Sequence, residues 1–274
     1  MKIITTIAHA RTGSTYFQEH IKSIEDVTWN ALEFFNEWNP THYKRIIREI
    51  FLKYDIPFTE SYKKYFDKLF SSKACGGRDQ HPCYSYEMLT DIIKILKEQK
   101  YQYFFHKLVP TSWVSFSKDN PLYPNVLNVT DKVIINYRKD ILDTFISKNR
   151  AKQNRRYANR VGYDPKYDQE FTWNKEEFMD FSERYIDYYY RLLNLINSLN
   201  IPYSIVCYEE LIQSTEKEKI EIIRKAIGYE HPLISPQVKK QSHATNQTEA
   251  FSNKEQFLSD YASIEKHHKV LKSI

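Results

Sequence analysis

The chain of 274 residues is poor in glycine and cysteine, with five glycines and three cysteines, and it contains no long apolar run. Three cysteines do not make a disulfide framework, and Cys75 and Cys83, with His81 between them, lack the fourth ligand and the tight spacing of a zinc site. We therefore expect free thiols in a reducing compartment and no bound metal. No segment approaches the roughly 20 apolar residues of a membrane helix, and KIITTIA at 2–8 is too short for a signal peptide. These absences predict a cytoplasmic protein that does not enter a membrane.

The charge balance is mildly basic, with a net charge of +5 at pH 7. Hydrophobic residues make up 41% and charged residues 27%, which is ordinary for a globular protein with a substantial core. We therefore expect a single domain over residues 1–274. The positive balance favours an anionic partner, but the chain lacks the single-sign runs that are typical of nucleic-acid-binding tails.

Apolar segments alternate with segments of helical spacing along the chain. We predict strands at 2–8, 101–109, 132–138 and 201–208. We predict helices at 14–24, 39–55, 59–70, 86–99, 140–153, 175–199, 216–228 and about 254–272. The strands at 2–8 and 132–138 are almost continuously apolar, as buried parallel strands are. The alternation predicts an α/β fold of three layers, in which a mostly parallel central sheet is flanked by helices on both faces.

The loop between the first strand and the first helix combines one arginine, one glycine and three hydroxyl residues: Arg11, Thr12, Gly13, Ser14 and Thr15. In open α/β sheets ligands bind at the carboxyl ends of the strands. A loop that enters a helix there offers free backbone N–H groups and the positive end of the helix dipole. Gly13 lets the backbone approach an anion, the hydroxyls add donors, and Arg11 adds a fixed charge. The loop therefore predicts a phosphate or sulfate cradle, and the alternative is a helix start that Ser14 caps.

Two common nucleotide-binding loops are missing. The sequence has neither the GxxxxGK[ST] of nucleoside-triphosphate-binding loops nor the GxGxxG of dinucleotide-binding folds. A small-molecule kinase is therefore disfavoured.

Five segments carry a resemblance to a known family. They are ARTGSTYF at 10–17, WNALEFFN at 29–36, INYRKDILDTFISKNRAKQ at 135–153, IPYSIVCYEELI at 201–212 and KKQSHATN at 239–246. In this order they resemble the motifs of sulfotransferases that use 3′-phosphoadenosine 5′-phosphosulfate (PAPS). The match is closest to the bacterial trehalose sulfotransferase-like group and to carbohydrate sulfotransferases. The second segment departs from that group, because Asn30 and Ala31 replace the usual small and proline residues.

The resemblance implies a P-loop-like sulfotransferase fold and PAPS as the sulfuryl donor, with 3′-phosphoadenosine 5′-phosphate (PAP) as the product. It assigns the loop from Arg11 to Thr15 to the 5′-phosphosulfate, and Arg138 and Ser147 to the 3′-phosphate. Two strand ends, each with an arginine and nearby hydroxyls, suit a ligand with anionic groups at both ends. The alternative for Ser147 is a helix-surface serine that bonds to its own backbone.

The resemblance also implies catalytic roles. Arg11 is the group expected to neutralise charge on the bridging oxygen, and no metal is required. Glu33, in the E-F-F segment, is expected to take the proton from the acceptor hydroxyl. His106, at the end of the strand YQYFFH, is the rival base, and His9 is a weaker candidate. Lys107 matches a lysine of the bacterial group but is assigned no role.

Two classes of function stay open at this point. The first is a PAPS-dependent sulfotransferase acting on a hydroxyl or amine of a small-molecule or carbohydrate acceptor, with no nucleic-acid partner and with a homodimer possible. The second is a non-catalytic anion- or nucleic-acid-binding protein with a P-loop-like fold. The second class is favoured by four arginines near the middle of the chain: Arg150, Arg155, Arg156 and Arg160.

Overall fold

The structure, a computed structural model, describes residues 1–21, 28–30, 97, 102–109, 126–153, 170–229 and 247–268. The helices at 39–55, 59–70 and 86–99 are predictions that lie outside these residues, apart from residue 97. The single domain over 1–274 also stays a prediction.

Four strands form an all-parallel sheet, and a three-residue strand extends it at one edge. The strands are β1 (Lys2–Ala8), β2 (Thr28–Asn30), β3 (Tyr103–Leu108), β4 (Lys132–Tyr137) and β5 (Tyr203–Cys207). Their order across the sheet is β2-β3-β1-β4-β5, and every neighbouring pair is parallel. β2 and β3 lie on one side of β1, and β4 and β5 lie on its other side. The carboxyl ends of β1 and β4 therefore flank the topological switch point, where open α/β sheets form a crevice.

Helices cover both faces of the sheet. They are α1 (Ser14–Ile21), α2 (Ile141–Gln153), α3 (Lys175–Ser198), α4 (Tyr208–Gln213), α5 (Glu216–Ile227) and α6 (Lys254–His268), with a 3-10 turn at Gln247–Ala250. One core joins the sheet to α2, α3 and α6, and the other joins it to α1, α4 and α5. The structure thus confirms an α/β fold with a parallel sheet between helices.

Local sequence explains where the helices begin and end. The side chain of Asn174 accepts the N–H of Glu177 at 2.9 Å and caps the start of α3. Thr215 and Glu218 form a reciprocal capping box at the start of α5. Gly228 ends α5 with a φ of 73°, a left-handed conformation that glycine adopts without steric cost.

The predicted strands and most of the predicted helices are confirmed to within a few residues where the chain is described. Among the described residues, β2, α4 and the 3-10 turn at Gln247–Ala250 are not among the predicted elements. β2 is only three residues long, and a segment of that length carries no readable alternation of apolar and polar residues. Helix α4 begins at Tyr208, which was assigned to the end of the preceding strand, because that strand stops at Cys207. Among the described residues, no helix is both long and apolar enough to cross a membrane.

Candidate anion-binding site

The loop after β1 and the turn after β4 meet at the switch point. Ala8, the last residue of β1, pairs with Asn136 of β4. The hydroxyl of Thr12 donates to the carbonyl of His9 at 2.8 Å and also lies 3.4 Å from the side-chain oxygen of Asn136. Thr12 is fully buried. Its hydroxyl therefore fastens the loop to the sheet, whereas the sequence had predicted it as a donor to the anion.

The sign of φ alternates along the loop, as it does in the backbone of an anion-binding nest. Arg11 and Gly13 have φ angles of 72° and 76°, whereas φ of Thr12 between them is not positive. Such alternation lines up successive N–H groups around a concavity that fits an anion. Ser14 then begins α1, whose first backbone bond runs from the N–H of Phe17 to the carbonyl of Gly13. A left-handed arginine costs about 1–2 kcal/mol, and strain of this kind is concentrated at functional sites.

Gly13 is required for a second reason, which the sequence did not reveal. A Cβ atom at this position would lie 2.0 Å from Cδ2 of Tyr208. The ring of Tyr208 therefore packs directly against the glycine, and its face also lies 4.9 Å from the guanidinium carbon of Arg138. One aromatic ring thus contacts both the loop after β1 and the turn after β4.

Arg11 links the two halves of the site. Its Nε donates a hydrogen bond of 3.0 Å to Oγ of Ser147 on α2. Burial, followed by the positive charge of Arg138, lowers the pKa of Arg11 below its usual range. The two guanidinium groups therefore lie close enough to repel each other, and an anion bound between them would relieve that repulsion. The structure also places Ser147 against Arg11, where the resemblance had assigned it to the phosphate at Arg138.

Arg138 is held in place by two carboxylates. Its Nη2 donates to Oδ2 of Asp143 at 2.8 Å, and its Nε lies 3.3 Å from Oε1 of Glu209. Glu209 also accepts the backbone N–H groups of Lys139 at 2.9 Å and Asp140 at 3.3 Å. The chain's own carboxylate therefore already occupies the backbone donors before α2. An anion at this position would have to bind the remaining N–H groups of the guanidinium.

Lys107 is a third cation at this end of the sheet, and sequence analysis gave it no role. It is only 3% exposed, and its Nζ donates to Oγ1 of Thr15 at 3.3 Å. It stands one residue before the end of β3 and pairs with Thr6 of β1. A lysine in an otherwise apolar and aromatic strand is the sequence signal that could have given Lys107 a role in the site.

His106 lies in the interior of the sheet and has no exposed surface. The hydroxyl of Thr130 donates to the carbonyl of Val126, so the hydroxyl of Thr5 must donate to Thr130. The Nε2 of His106, 2.8 Å from the Thr5 hydroxyl, is then the donor to it. Burial lowers the pKa of His106 to about 3. This geometry favours a neutral core histidine over a base at the sheet edge.

His9 stands at the carboxyl end of β1 and is half-buried. Its Nδ1 lies 3.0 Å from the carbonyl oxygen of Ala10 and donates to it. Its ring packs edge-on against Phe181, Tyr185 and Tyr188. Burial is the main reason that the pKa of His9 falls to about 4. The imidazole is therefore neutral at pH 7 and adds no charge to the crevice.

Of the other predicted site residues, Ser14 and Thr15 are described by the structure and Glu33 is not. Ser14 is buried at the first position of α1, and Thr15 accepts the bond from Lys107. Glu33, the predicted base, lies outside the described residues. In the part of the chain that the structure describes, no group of three or more histidine, cysteine, aspartate or glutamate residues could hold a metal ion.

In comparisons with known proteins, no family model matches the chain and no curated protein sequence matches it. Cations, hydroxyls and strained backbone N–H groups converge at one end of a parallel sheet. These are donors for oxyanions, and they lie at the ends of three neighbouring strands, β3, β1 and β4.

Proposed function

We propose that this protein is a sulfotransferase that moves a sulfuryl group from PAPS to a hydroxyl or amine of a small-molecule or carbohydrate acceptor. The observation that carries the proposal is that Arg11 and Arg138, at the ends of neighbouring strands, lie close enough for their charges to interact, with Ser147 bonded to Arg11. This arrangement supplies two cationic positions beside a backbone nest. It agrees with the sulfotransferase resemblance of the five sequence segments and with a P-loop-like fold.

The residues present fit the donor. The nest between Arg11 and Ser14 and the start of α1 would hold the 5′-phosphosulfate, with Lys107 close by at Thr15. Arg138 would hold the 3′-phosphate through the guanidinium N–H groups that Asp143 and Glu209 leave open. When bound, PAPS supplies the sulfuryl group for an in-line displacement.

Arg11 would act on the leaving oxygen. In sulfuryl transfer the acceptor oxygen forms a bond to sulfur while the bond from sulfur to the bridging oxygen breaks. The leaving phosphate oxygen gains negative charge, which a buried guanidinium stabilises more strongly than one in water. The left-handed backbone of Arg11 and its bond to Ser147 fix the guanidinium before substrate arrives.

Glu33 is proposed as the base that removes the proton from the acceptor, on the strength of the E-F-F segment in which it lies. The core position of His106, with Nε2 acting as a donor, makes that residue the weaker choice. In this proposal Arg11 stabilises the charge on the leaving oxygen, and Glu33 removes the proton from the acceptor.

A transfer experiment tests the proposal. The protein is incubated with PAPS and a pool of small metabolites and sugars, and products are read by mass spectrometry. We expect at least one compound to gain the mass of one SO₃ group while PAP accumulates. Arg11→Ala should abolish the product, whereas Arg184→Ala, at an exposed position of α3, should leave it unchanged. Unchanged PAPS and no sulfated product with the parent protein would contradict the proposal.

A further inference from the structure

Two buried tyrosines of α3 reach the ends of β1 and β4 at the candidate site. Tyr185 and Tyr189 are 1% and 0% exposed. Their spacing of four residues places both on one face of the helix, the face that packs on the sheet. Burial raises the pKa of both hydroxyls, so they keep their protons and serve as donors as well as acceptors.

Tyr185 contacts the backbone of Arg138 twice. Its hydroxyl accepts the N–H of Arg138 at 3.1 Å and donates to the carbonyl of the same residue at 3.2 Å. Arg138 follows the last residue of β4, so the bonds of the strand no longer satisfy its backbone. A single hydroxyl therefore replaces the strand as the partner of both backbone groups.

Tyr189 makes the corresponding contact one turn further along the helix. Its hydroxyl donates to the carbonyl of Asn136 at 2.9 Å and accepts the N–H of His9 at 3.3 Å. It therefore bridges the ends of β1 and β4 immediately before the loop that carries Arg11. All four of these hydrogen bonds join a tyrosine hydroxyl to a backbone group, and none of them involves an arginine side chain.

We propose that Tyr185 and Tyr189 are positioning residues that set the two anion sites at a fixed separation. Tyr185 fixes the direction in which the Arg138 side chain leaves β4, and Tyr189 fixes the loop after β1 relative to β4. This inference rests on the proposed function, because the separation matters only for a ligand with anionic groups at both ends. PAP is such a ligand, and adenosine 5′-monophosphate (AMP) lacks the 3′-phosphate.

Calorimetric titration of three tyrosine-to-phenylalanine variants with PAP and AMP tests the inference. Each variant loses one oxygen and keeps its ring, so packing is preserved. Tyr185→Phe is expected to weaken PAP binding about five- to tenfold, the effect of one or two lost hydrogen bonds, while AMP binding stays within about twofold. Tyr189→Phe, which loosens the loop after β1 relative to β4, is expected to weaken PAP binding by a similar factor while AMP binding stays within about twofold. The matched control is Tyr190→Phe, since Tyr190 is 49% exposed on the same helix and should change neither affinity.

The ratio of the PAP and AMP affinities is measured on one folded sample, so a general loss of stability does not mimic the expected result. If Tyr185→Phe leaves both affinities unchanged, or weakens both equally, the role assigned to Tyr185 is overturned. Unchanged affinities in Tyr189→Phe, or equal weakening of both ligands, overturn the role of Tyr189 alone. If the parent protein binds no PAP, the proposed function fails and the inference fails with it.

Discussion

The Nε of Arg11 lies 3.0 Å from Oγ of Ser147, although 136 residues separate them along the chain. This bond joins the loop after β1 to the first turns of α2 across the switch point of the sheet. The bond therefore connects the segments at 10–17 and 135–153, which form two separate motifs in the sequence, into one site. The two ends of an extended anionic ligand could therefore be recognised by one connected set of side chains.

Arg138→Ala is expected to weaken PAP binding about tenfold or more, because it removes charge-assisted hydrogen bonds to the 3′-phosphate. AMP binding should change much less. Titration calorimetry measures both affinities, and Arg184→Ala, a substitution of an exposed arginine on α3, is the control. Equal PAP affinity in parent and variant would remove Arg138 from the site.

Gly13→Ala is expected to destabilise the fold as well as to abolish PAP binding. Gly13 and Gly228 share positive φ angles, of 76° and 73°, but only at Gly13 does the new Cβ meet a ring, that of Tyr208, at 2.0 Å. Gly228→Ala, whose nearest contact is at 3.9 Å, therefore measures backbone strain alone, about 1–2 kcal/mol. The collision should add about 1–3 kcal/mol at Gly13.

Urea unfolding of the two glycine variants gives this comparison. Equal free energies of unfolding in Gly13→Ala and Gly228→Ala would show that Tyr208 moves aside at no cost. A stable Gly13→Ala protein that still binds PAP tightly would place the anion elsewhere.

His106 is expected to make stability depend on pH in acid. Burial holds its pKa at about 3 in the folded chain, against 6.5 for an ordinary histidine. Below pH 6.5 the unfolded chain binds a proton that the folded chain does not, so stability is lost as the pH falls. His106→Gln, whose amide can still donate to Thr5, removes this dependence. Between about pH 6 and pH 4 the parent should lose about 1.4 kcal/mol more per pH unit than the variant.

Urea unfolding at pH 7, 6 and 5 checks this difference. The contribution of His9 is present in both proteins and cancels. Parallel curves for the parent and His106→Gln would mean that His106 titrates normally and is not buried as described.

Glu33→Gln is expected to keep PAP affinity within a few-fold and to slow single-turnover sulfuryl transfer by roughly 10²–10⁴. Glutamine preserves the shape of the side chain and removes the proton acceptor. His106→Gln is the control and should lose much less, because Nε2 of His106 already donates to Thr5. A near-parental Glu33 variant beside an inactive His106 variant would assign the base to His106.

Much of the architecture could be predicted because its signals are local. The apolar runs at 2–8 and 132–138 indicate buried parallel strands, and Gly13 beside Arg11 indicates a special loop in a glycine-poor chain. The parallel sheet between helices follows from the alternation of such segments. These signals lie within single stretches of sequence, where strand and helix periodicity can be read directly.

The rest of the site depends on contacts between distant segments. Nothing near Gly13 indicates that Tyr208 will cover it, and the aromatic face of α3 is indistinguishable in sequence from ordinary core. Tyr185 and Tyr189 are distinguished from the neighbouring aromatic residues by the backbone groups that their hydroxyls contact, and the sequence does not show those contacts. The same holds for Ser147, whose partner Arg11 is chosen by the packing of α2 on the sheet.

Thermal melting with PAP, ATP and short DNA tests the central claim most directly. A PAPS-dependent sulfotransferase should be stabilised by PAP, because ligand that binds only the folded protein raises its melting temperature. We predict a clear rise with PAP, a much smaller rise with ATP and none with DNA. A rise with ATP or DNA that equals or exceeds the rise with PAP would contradict the account.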